Sequence, residues 1–331
     1  MRFKETVGID VGKSFLEVCI HSIEQSKEFR NTLNGRKSLI KWVINLSSYS
    51  KEQLLFAFEH TGLYSFPLSI ELKTQGLFFV VIPGLQLKRS MGISRAKNDK
   101  VDAKKIALYA FRRKGEIKPH TMPSPVILSL KRLLSLREKL VKHRSGYKAS
   151  LKEYGLFLEK KESKLIMATH KKMIAYLNKQ IKAINKELML LIESDKQINN
   201  YYELAISVRS VGPQTAMFII AYTNGFTSFK KWRQFASYCG IAPFPNTSGT
   251  SLRGKTKVSN LANKKLKSLL DLCAKSAIQN NPEMKIYYRR RIDQGKPKMS
   301  TINIIRNKLL SRVFAAVNRN TPYVNTIAYA A

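Results

Sequence analysis

Residues 5–21 read ETVGIDVGKSFLEVCIH, and this stretch decides how the chain begins to fold. Apolar runs on both sides of a Gly-Lys-Ser turn predict two adjacent strands, at residues 5–12 and 14–21. Asp10 stands near the end of the first strand, in the context Gly-Ile-Asp-Val-Gly. The segment therefore predicts the edge of a sheet that carries a carboxylate, although an ordinary turn aspartate would fit this position equally well.

Apolar strands alternate with helical patterns over the following hundred residues. LLFAFEHTG (54–62) and GLFFVVIPG (76–84) predict two more buried strands, while residues 36–48 and about 64–74 predict helices. The segment VDAKKIALYAFRR, which follows Asp99 closely, predicts another helix. Such alternation is typical of an α/β layer with a partly parallel sheet.

Four carboxylates stand out in this first third: Asp10, Glu59, Asp99 and Asp102. Glu59 follows an apolar strand, and Asp99 and Asp102 lie three apart on one helix face. A close pair of like charges costs about 4 kcal/mol at an effective dielectric constant of 20. A hard divalent cation would explain why acids gather here, since such cations prefer oxygen ligands. We therefore predict a site for one or two Mg²⁺ ions.

The composition indicates a globular protein with a polyanionic partner. The 331 residues are 44% hydrophobic, and 59 Lys and Arg against 22 Asp and Glu give a formal charge of +37. That charge favours nucleic acid as the partner. Three cysteines without C-x-x-C spacing argue against a zinc ribbon or a disulfide framework. With no signal peptide and no apolar run long enough for a membrane span, we expect a cytoplasmic protein without a membrane partner.

Residues 124–196 change in character to long helices. Met167, Ile174, Leu177, Ile181 and Leu188 belong to a seam spaced by three, four and seven residues, which is typical of a coiled coil. Residues 160–164 are a candidate turn between two helices. The sequence leaves two interpretations open: an intramolecular helical hairpin that acts as a spacer, or an arm for dimerisation.

The segment from residue 204 onward is strongly basic, with 21 Lys and Arg against three acids, a net +18. Ser-Val-Gly-Pro (210–213) before an apolar helix is typical of a helix–hairpin–helix turn that meets phosphate. A basic aromatic helix, a polar loop NTSGTSLRGKTKVSN and a helix from Lys264 to about Gln279 follow. We predict that the nucleic-acid contacts include Arg209, Lys230, Lys231, Arg233, Arg253, Lys255, Lys257, Lys264 and Lys265.

Ser248, directly before a glycine in this loop, has two interpretations. It is either an exposed nucleophile or part of a flexible loop that contacts phosphate. All five histidines lie before residue 204, so a Ser-His-Asp triad cannot form within this segment. A nucleophilic Ser248 therefore needs an activator from elsewhere, such as a metal held by another domain.

The motifs together resemble the DEDD insertion-sequence transposases, a group that includes the Piv-type DNA invertases. The similarity runs from GIDVGK through FEHTGLY and KNDKVDAKKIA to SVGPQTA, YCGIAP and SGTSLRGKTKVSN. It implies an RNase H-like (RuvC-like) α/β domain at 1–120, a helical coiled-coil linker at 121–200, and a mainly α transposase domain at 201–331.

The resemblance also implies roles for individual residues and partners. Asp10, Glu59, Asp99 and Asp102 would be the catalytic metal ligands and Ser248 the nucleophile, with Ser251 as the fallback because the family's double serine and double glycine are absent here. Asn98 replaces a common threonine. The implied partners are DNA at the element ends and target, a non-coding bridge RNA, and further copies of the chain in a dimer or tetramer at the nucleoid.

We therefore expect a DNA recombinase that performs Mg²⁺-dependent strand cleavage and exchange through Ser248. Two alternatives remain open at this point. One is a RuvC-like junction nuclease that cleaves with metal-activated water, and the other is a non-catalytic RNA-binding scaffold. A covalent protein–DNA adduct would distinguish the recombinase from the nuclease, and metal-dependent cleavage would exclude the scaffold.

Overall fold

The computed structural model describes residues 3–90, 98–157, 160–248 and 252–324. The chain divides into two units, Met1–Met122 and Pro123–Ala331. Of the segment at 121–200 that was predicted as a helical linker, residues 123–200 lie in the second unit.

The first unit is built on a five-stranded sheet with the order β3-β2-β1-β4-β5. Its strands are β1 (Glu5–Val11), β2 (Phe15–Ile20), β3 (Ser26–Arg30), β4 (Leu54–Glu59) and β5 (Phe78–Ile82). The β2 strand is antiparallel to both of its neighbours, β1 and β3, whereas β4 runs parallel to β1 and β5 runs parallel to β4. The four predicted strands are confirmed. The edge strand β3, SKEFR, was missed because it carries only one buried side chain, Phe29.

Helices cover both faces of this sheet: α1 (Leu33–Leu46), α2 (Phe66–Thr74), α3 (Gly84–Ser90) and α4 (Asp99–Arg113). Val7 and Ile9 of β1 point into a core with Leu39 of α1 and Leu72 of α2. The opposite face packs against α4, where Ile106 and Ala110 join Ala57 of β4. The alternation of strand residues between the two faces therefore leaves Asp10 on the α4 side.

The second unit is mainly helical. Its helices are α5 (Pro125–Phe157), α6 (Lys160–Glu193), α7 (Lys196–Ile206), α8 (Pro213–Tyr222), α9 (Trp232–Tyr238), α10 (Lys264–Asn280), α11 (Pro282–Asp293) and α12 (Lys298–Arg319). The apolar helix α8 and the buried faces of α10 and α12 form one core with the base of α5 and α6. The helix predicted from Lys264 is confirmed as α10.

The predicted seam of α6 packs against α5 of the same chain. Leu177, Ile181, Ile184 and Leu188 are buried along it, and Tyr147 and Tyr154 of α5 both set their rings against His170 of α6. This is the hairpin interpretation, so a dimerisation arm would need another face of these helices. The turn expected at 160–164 is also corrected, since α5 ends at Phe157 and α6 begins at Lys160.

The polar segment after α9 is not a loop as predicted. It forms an antiparallel pair, β6 (Pro243–Ser248) and β7 (Leu252–Val258). A weak alternation is present in β7, where three basic residues alternate with Leu252, Gly254, Thr256 and Val258. Two prolines in β6 and a glycine in β7 interrupt the pattern, so sequence periodicity gives little strand signal here.

The three cysteines, Cys19, Cys239 and Cys273, are buried and form no disulfide. Burial raises the pKa of Cys239 to about 12, so this thiol behaves as an apolar core group. No helix in the described ranges has the length and apolar character that crossing a bilayer requires.

Candidate functional site

The position of α4 against β1 depends on Gly8. A Cβ atom at this position would lie 2.2 Å from the carbonyl oxygen of Ala103 and 2.3 Å from the nitrogen of Ala107. The hydroxyl of Thr6 donates to the carbonyl oxygen of Ala107 at 3.0 Å. Small residues on both elements therefore let the helix backbone approach the strand closely.

This contact sets a register between strand and helix. Thr6 lies against Ala107, and Gly8 lies against the backbone between Ala103 and Ala107. Moving two residues along β1 therefore corresponds to moving about one turn, or four residues, toward the start of α4. The next step on each element reaches Asp10 and Asp99. The two rises agree, because two strand residues span about 6.6 Å and four helical residues about 6.0 Å. The packing thus brings Asp10 and Asp99 to the same corner of the first unit.

Glu59 reaches the same corner from β4. The parallel register pairs Ile9 with Phe58, which places Glu59 beside Asp10 on the neighbouring strand. Its side chain lies against the first residue of α3, Gly84, where an added Cβ would be 2.0 Å from Oε1 of Glu59. Gly84 therefore leaves the space that the Glu59 carboxylate fills.

The electrostatics confirm that these acids are neighbours. Burial raises the pKa of Asp10 first, and repulsion by Asp99, Asp102 and Glu59 raises it further. Asp102 also forms an ion pair with Lys105 at 3.1 Å. The other three sequence-predicted acids therefore all lie within electrostatic range of Asp10.

The four carboxylates fit a hard divalent cation by their chemistry, since every donor is an anionic oxygen. Their side chains, however, do not form a closed cage. Within the described ranges, no three His, Cys, Asp or Glu side chains converge closely enough to hold an ion. Asp102 is turned to Lys105, and Glu59 is turned to Gly84.

Sequence analysis missed a fifth acid beside this corner, Glu17 of β2. It is the strand partner of Asp10 and is buried. The sequence contained part of this information. Successive strand residues point to opposite faces of a sheet, so Glu17 shares a face with Cys19, while Leu16 and Val18 lie on the other face. This alternation identifies which residues of β2 share a face, but it does not identify the strand that pairs with β2.

Ser248 lies at the end of β6, where it pairs with Leu252 of β7. It therefore marks the tip of an exposed β-hairpin in the second unit. The fallback nucleophile Ser251 and the neighbouring Gly249 and Thr250 lie outside the described residues.

The predicted nucleic-acid contacts are spread over several elements of the second unit. Arg209 is exposed in the turn between α7 and α8, and Lys230, Lys231 and Arg233 are exposed around the start of α9. Arg253, Lys255 and Lys257 occupy alternate positions of β7, and Lys264 begins α10 with an exposed side chain. Lys265 differs from these, because it pairs with Glu138 at 3.2 Å and lies over the ring of Phe218.

Two of the three acids in the C-terminal part are used within the fold. Asp271 pairs with Arg306 and Lys275, and Glu283 pairs with Arg312. Among the described residues, most basic side chains of this part therefore form no ion pair with an acid. A cavity of about 400 Å³ also opens at the start of α8, beside Arg137 and Lys265, where the sequence predicted a phosphate contact.

Two family models of known proteins match this chain, one in its first half and one in its second half. Residues 7–154 match the DEDD-type IS110 transposase family model, and residues 202–289 match the model described as Transposase IS116/IS110/IS902 family. The chain is 25% identical to the pilin gene-inverting proteins of Moraxella bovis and Moraxella lacunata, over 97% of this chain and 98% of each relative. It is 26% identical to an uncharacterized 43.6 kDa protein of insertion element IS110 from Streptomyces coelicolor, over 44% of this chain and 35% of that protein.

The acidic corner on a mixed α/β sheet and the matched DEDD model together define a DNA transposase with an RNase H-like first domain. The chain belongs to the IS110 transposase family. The first model extends from the sheet of the first unit into α5, and the second model lies within the second unit.

Proposed function

We propose that this transposase cleaves and exchanges DNA strands in a reaction that needs Mg²⁺ and uses Ser248 as the nucleophile. The observation that carries the proposal is the gathering of Asp10, Glu59, Asp99 and Asp102 at one corner, where burial and then the other three carboxylates raise the pKa of Asp10. These acids would hold the ion or ions. Bound Mg²⁺ polarises the scissile phosphate and stabilises the leaving oxygen.

The serine step conserves the energy of the phosphodiester bond. A bond forms between Oγ of Ser248 and phosphorus while the bond from phosphorus to the leaving deoxyribose oxygen breaks. The serine proton passes to solvent, and the leaving oxygen takes up a proton. No histidine follows residue 170, so the proposal requires the acidic corner and Ser248 to act on the same phosphate. For exchange, the hydroxyl of a second cleaved strand would attack the phosphoserine. The bond from phosphorus to Oγ of Ser248 would then break, and the serine oxygen would take up a proton.

We further propose that a non-coding bridge RNA selects the DNA sequences. Support comes from the family resemblance and from the +37 charge, which suits two nucleic acids at once. The name of the Moraxella relatives, which invert a pilin gene, supports strand exchange over simple cleavage. We expect the protein to act as a dimer or tetramer on DNA in the cytoplasm, at the nucleoid.

The deciding experiment is a denaturing gel of end-labelled DNA incubated with Mg²⁺, the protein and the RNA transcribed beside its gene. The unmodified protein should give a shifted band that protease removes. Ser248→Ala should abolish this band and recombination but retain DNA binding. The control Ser194→Ala, at an exposed serine in the turn after α6 of the same unit, should behave like the unmodified protein.

Two results would contradict the proposal in different ways. A shifted band that persists in Ser248→Ala would move the nucleophile elsewhere, with Ser251 next to test. Cleavage that never gives a shifted band would favour a nuclease that uses metal-activated water. A protein that neither cuts nor exchanges DNA under any metal condition would be a binding scaffold.

A further inference from the structure

Glu17 shares a face of the sheet with Asp10. The antiparallel register of β1 and β2 places the two residues directly opposite each other, and the register of β2 and β3 places Glu28 opposite Glu17. Side chains of directly paired residues project to the same side of a sheet. Asp10, Glu17 and Glu28 therefore form a row of acids on one face of the sheet. This row extends from the acidic corner across β2 to the edge strand β3.

One carboxylate oxygen of Glu17 lacks a hydrogen-bond donor among the described residues. The residue is only 6% exposed, and its Oε1 atom is fully buried without a hydrogen-bond donor within the described residues. The ammonium group of Lys100 attracts the carboxylate but does not donate to this oxygen. A buried carboxylate oxygen without a donor is unfavourable, so an additional cation would relieve a real deficit.

A cavity of about 170 Å³ lies next to these acids. It is lined by Asp10, Glu17 and Asp99, with the exposed Glu28 at its rim. Since one water molecule occupies about 30 Å³ in the liquid, the cavity has room for a cation with several of its waters. Mg²⁺ usually keeps part of its hydration shell in protein sites, and this space is therefore of a suitable size and polarity.

We propose that Glu17 is a fifth cation ligand, which with Asp10 and Asp99 forms a divalent-cation position on the β2 side of the acidic corner. This inference rests on the metal-dependent function proposed above and extends it by one residue and one position. Asp10 lies between Glu17 and Glu59 in the sheet. It therefore borders both this position and the one proposed for the four acids of the corner. The strands and α4 fix the backbone of all three ligands. Their carboxylates do not converge on one point within the described residues, so ion binding at this position requires the side chains to rotate.

The test is isothermal titration of the full-length protein with Mn²⁺ in the absence of nucleic acid, which measures ion binding apart from catalysis. Glu17→Gln keeps the size of the side chain and should weaken one class of bound Mn²⁺ at least about tenfold. Glu28→Gln removes the same charge from the rim of the same cavity, and a purely electrostatic effect should be less than about threefold there. Asp10→Asn should weaken every class.

The outcomes separate this inference from the function on which it rests. Mn²⁺ binding that Glu17→Gln leaves unchanged, or that Glu28→Gln weakens equally, overturns the role of Glu17 and leaves the DEDD site intact. An unmodified protein that binds no Mn²⁺ overturns both proposals. If Glu17→Gln does not fold, as judged by circular dichroism, Glu17→Asp decides: weakened binding supports ligation, and unchanged binding contradicts it.

Discussion

The environment of Asp10 disfavours the ionised form of its carboxylate, which is the form that binds a metal ion. Burial and the carboxylates of Asp99, Asp102 and Glu59 all raise its pKa. The folded protein therefore binds a proton at Asp10 more readily than the unfolded chain does. Without a cation, ionised Asp10 destabilises the fold above its folded pKa, and this effect fades as the pH falls toward 3.8.

Asp10→Asn should stabilise the metal-free protein at neutral pH, because it removes a charge that three neighbours repel. Relief of about 1 kcal/mol would raise the melting temperature by about 2–4 °C. The gain should shrink as the pH is lowered, and Mg²⁺ should no longer raise the melting temperature. Thermal unfolding with and without Mg²⁺ at several pH values measures both effects.

Glu24→Gln provides a control of opposite sign. A hydrogen bond and ion pair from Lys104 lower the pKa of Glu24, so its charge stabilises the fold above pH 4.5 and this contribution is lost as the pH falls. The control should not raise the melting temperature. If Asp10→Asn lowered the melting temperature at neutral pH, the acids would not repel each other as described.

At the scale of elements, the contact of α4 with β1 determines where two of the four acids lie. Helix packing of this kind has no tolerance for a side chain at Gly8, because backbone atoms of α4 occupy the space of its Cβ. The acids Asp99 and Asp102 lie in the first turn of the same helix. A shift of α4 would therefore move the candidate ligands along with the packing.

Gly8→Ala should destabilise the protein by about 1–3 kcal/mol, which is the range for overpacking a tight contact. It should also weaken Mn²⁺ binding although it alters no acid. Urea unfolding and isothermal titration measure the two effects. Gly146→Ala is the matched control, since no atom lies within 4 Å of its added Cβ and it sits within α5; it should be neutral or stabilise by up to about 1 kcal/mol. Equal behaviour of the two variants would contradict the register of α4 on β1.

At the scale of the whole molecule, the hydrophobic core of the second unit joins the helical hairpin to the C-terminal helices. Leu188 of α6 belongs to the same core as Ile219 of α8 and Leu309 of α12, and all three are fully buried. The seam and the C-terminal fold should therefore lose their structure together rather than as separate domains.

Leu188→Ala should lower the stability of the second unit by about 2–5 kcal/mol, because it leaves a cavity in this shared core. Leu190→Ala, two residues away and 50% exposed, should change it by less than about 0.5 kcal/mol. Urea unfolding followed by tyrosine fluorescence and circular dichroism should give one transition for hairpin and C-terminal helices. Loss of the hairpin alone in Leu188→Ala would contradict a shared core.

Local patterns in the sequence were sufficient to determine most of the elements and the chemistry of the acidic corner. The apolar strands β1, β2, β4 and β5 and the amphipathic α4 follow from periodicity over a few residues. The four acids were chosen by their positions on these elements. Their oxygen donors indicate a hard cation whatever the tertiary structure, because ligand chemistry belongs to the residue type.

Only the tertiary structure decided which residues face each other. Glu17 lies opposite Asp10 because β2 pairs with β1 in one register, and a slip of one residue would turn it to the other face. In the same way, the seam of α6 faces α5 of its own chain, and the polar segment after α9 forms the pair of β6 and β7 although its strand signal is weak. Pairing, register and choice of partner depend on contacts between distant residues, and a local pattern does not contain that information.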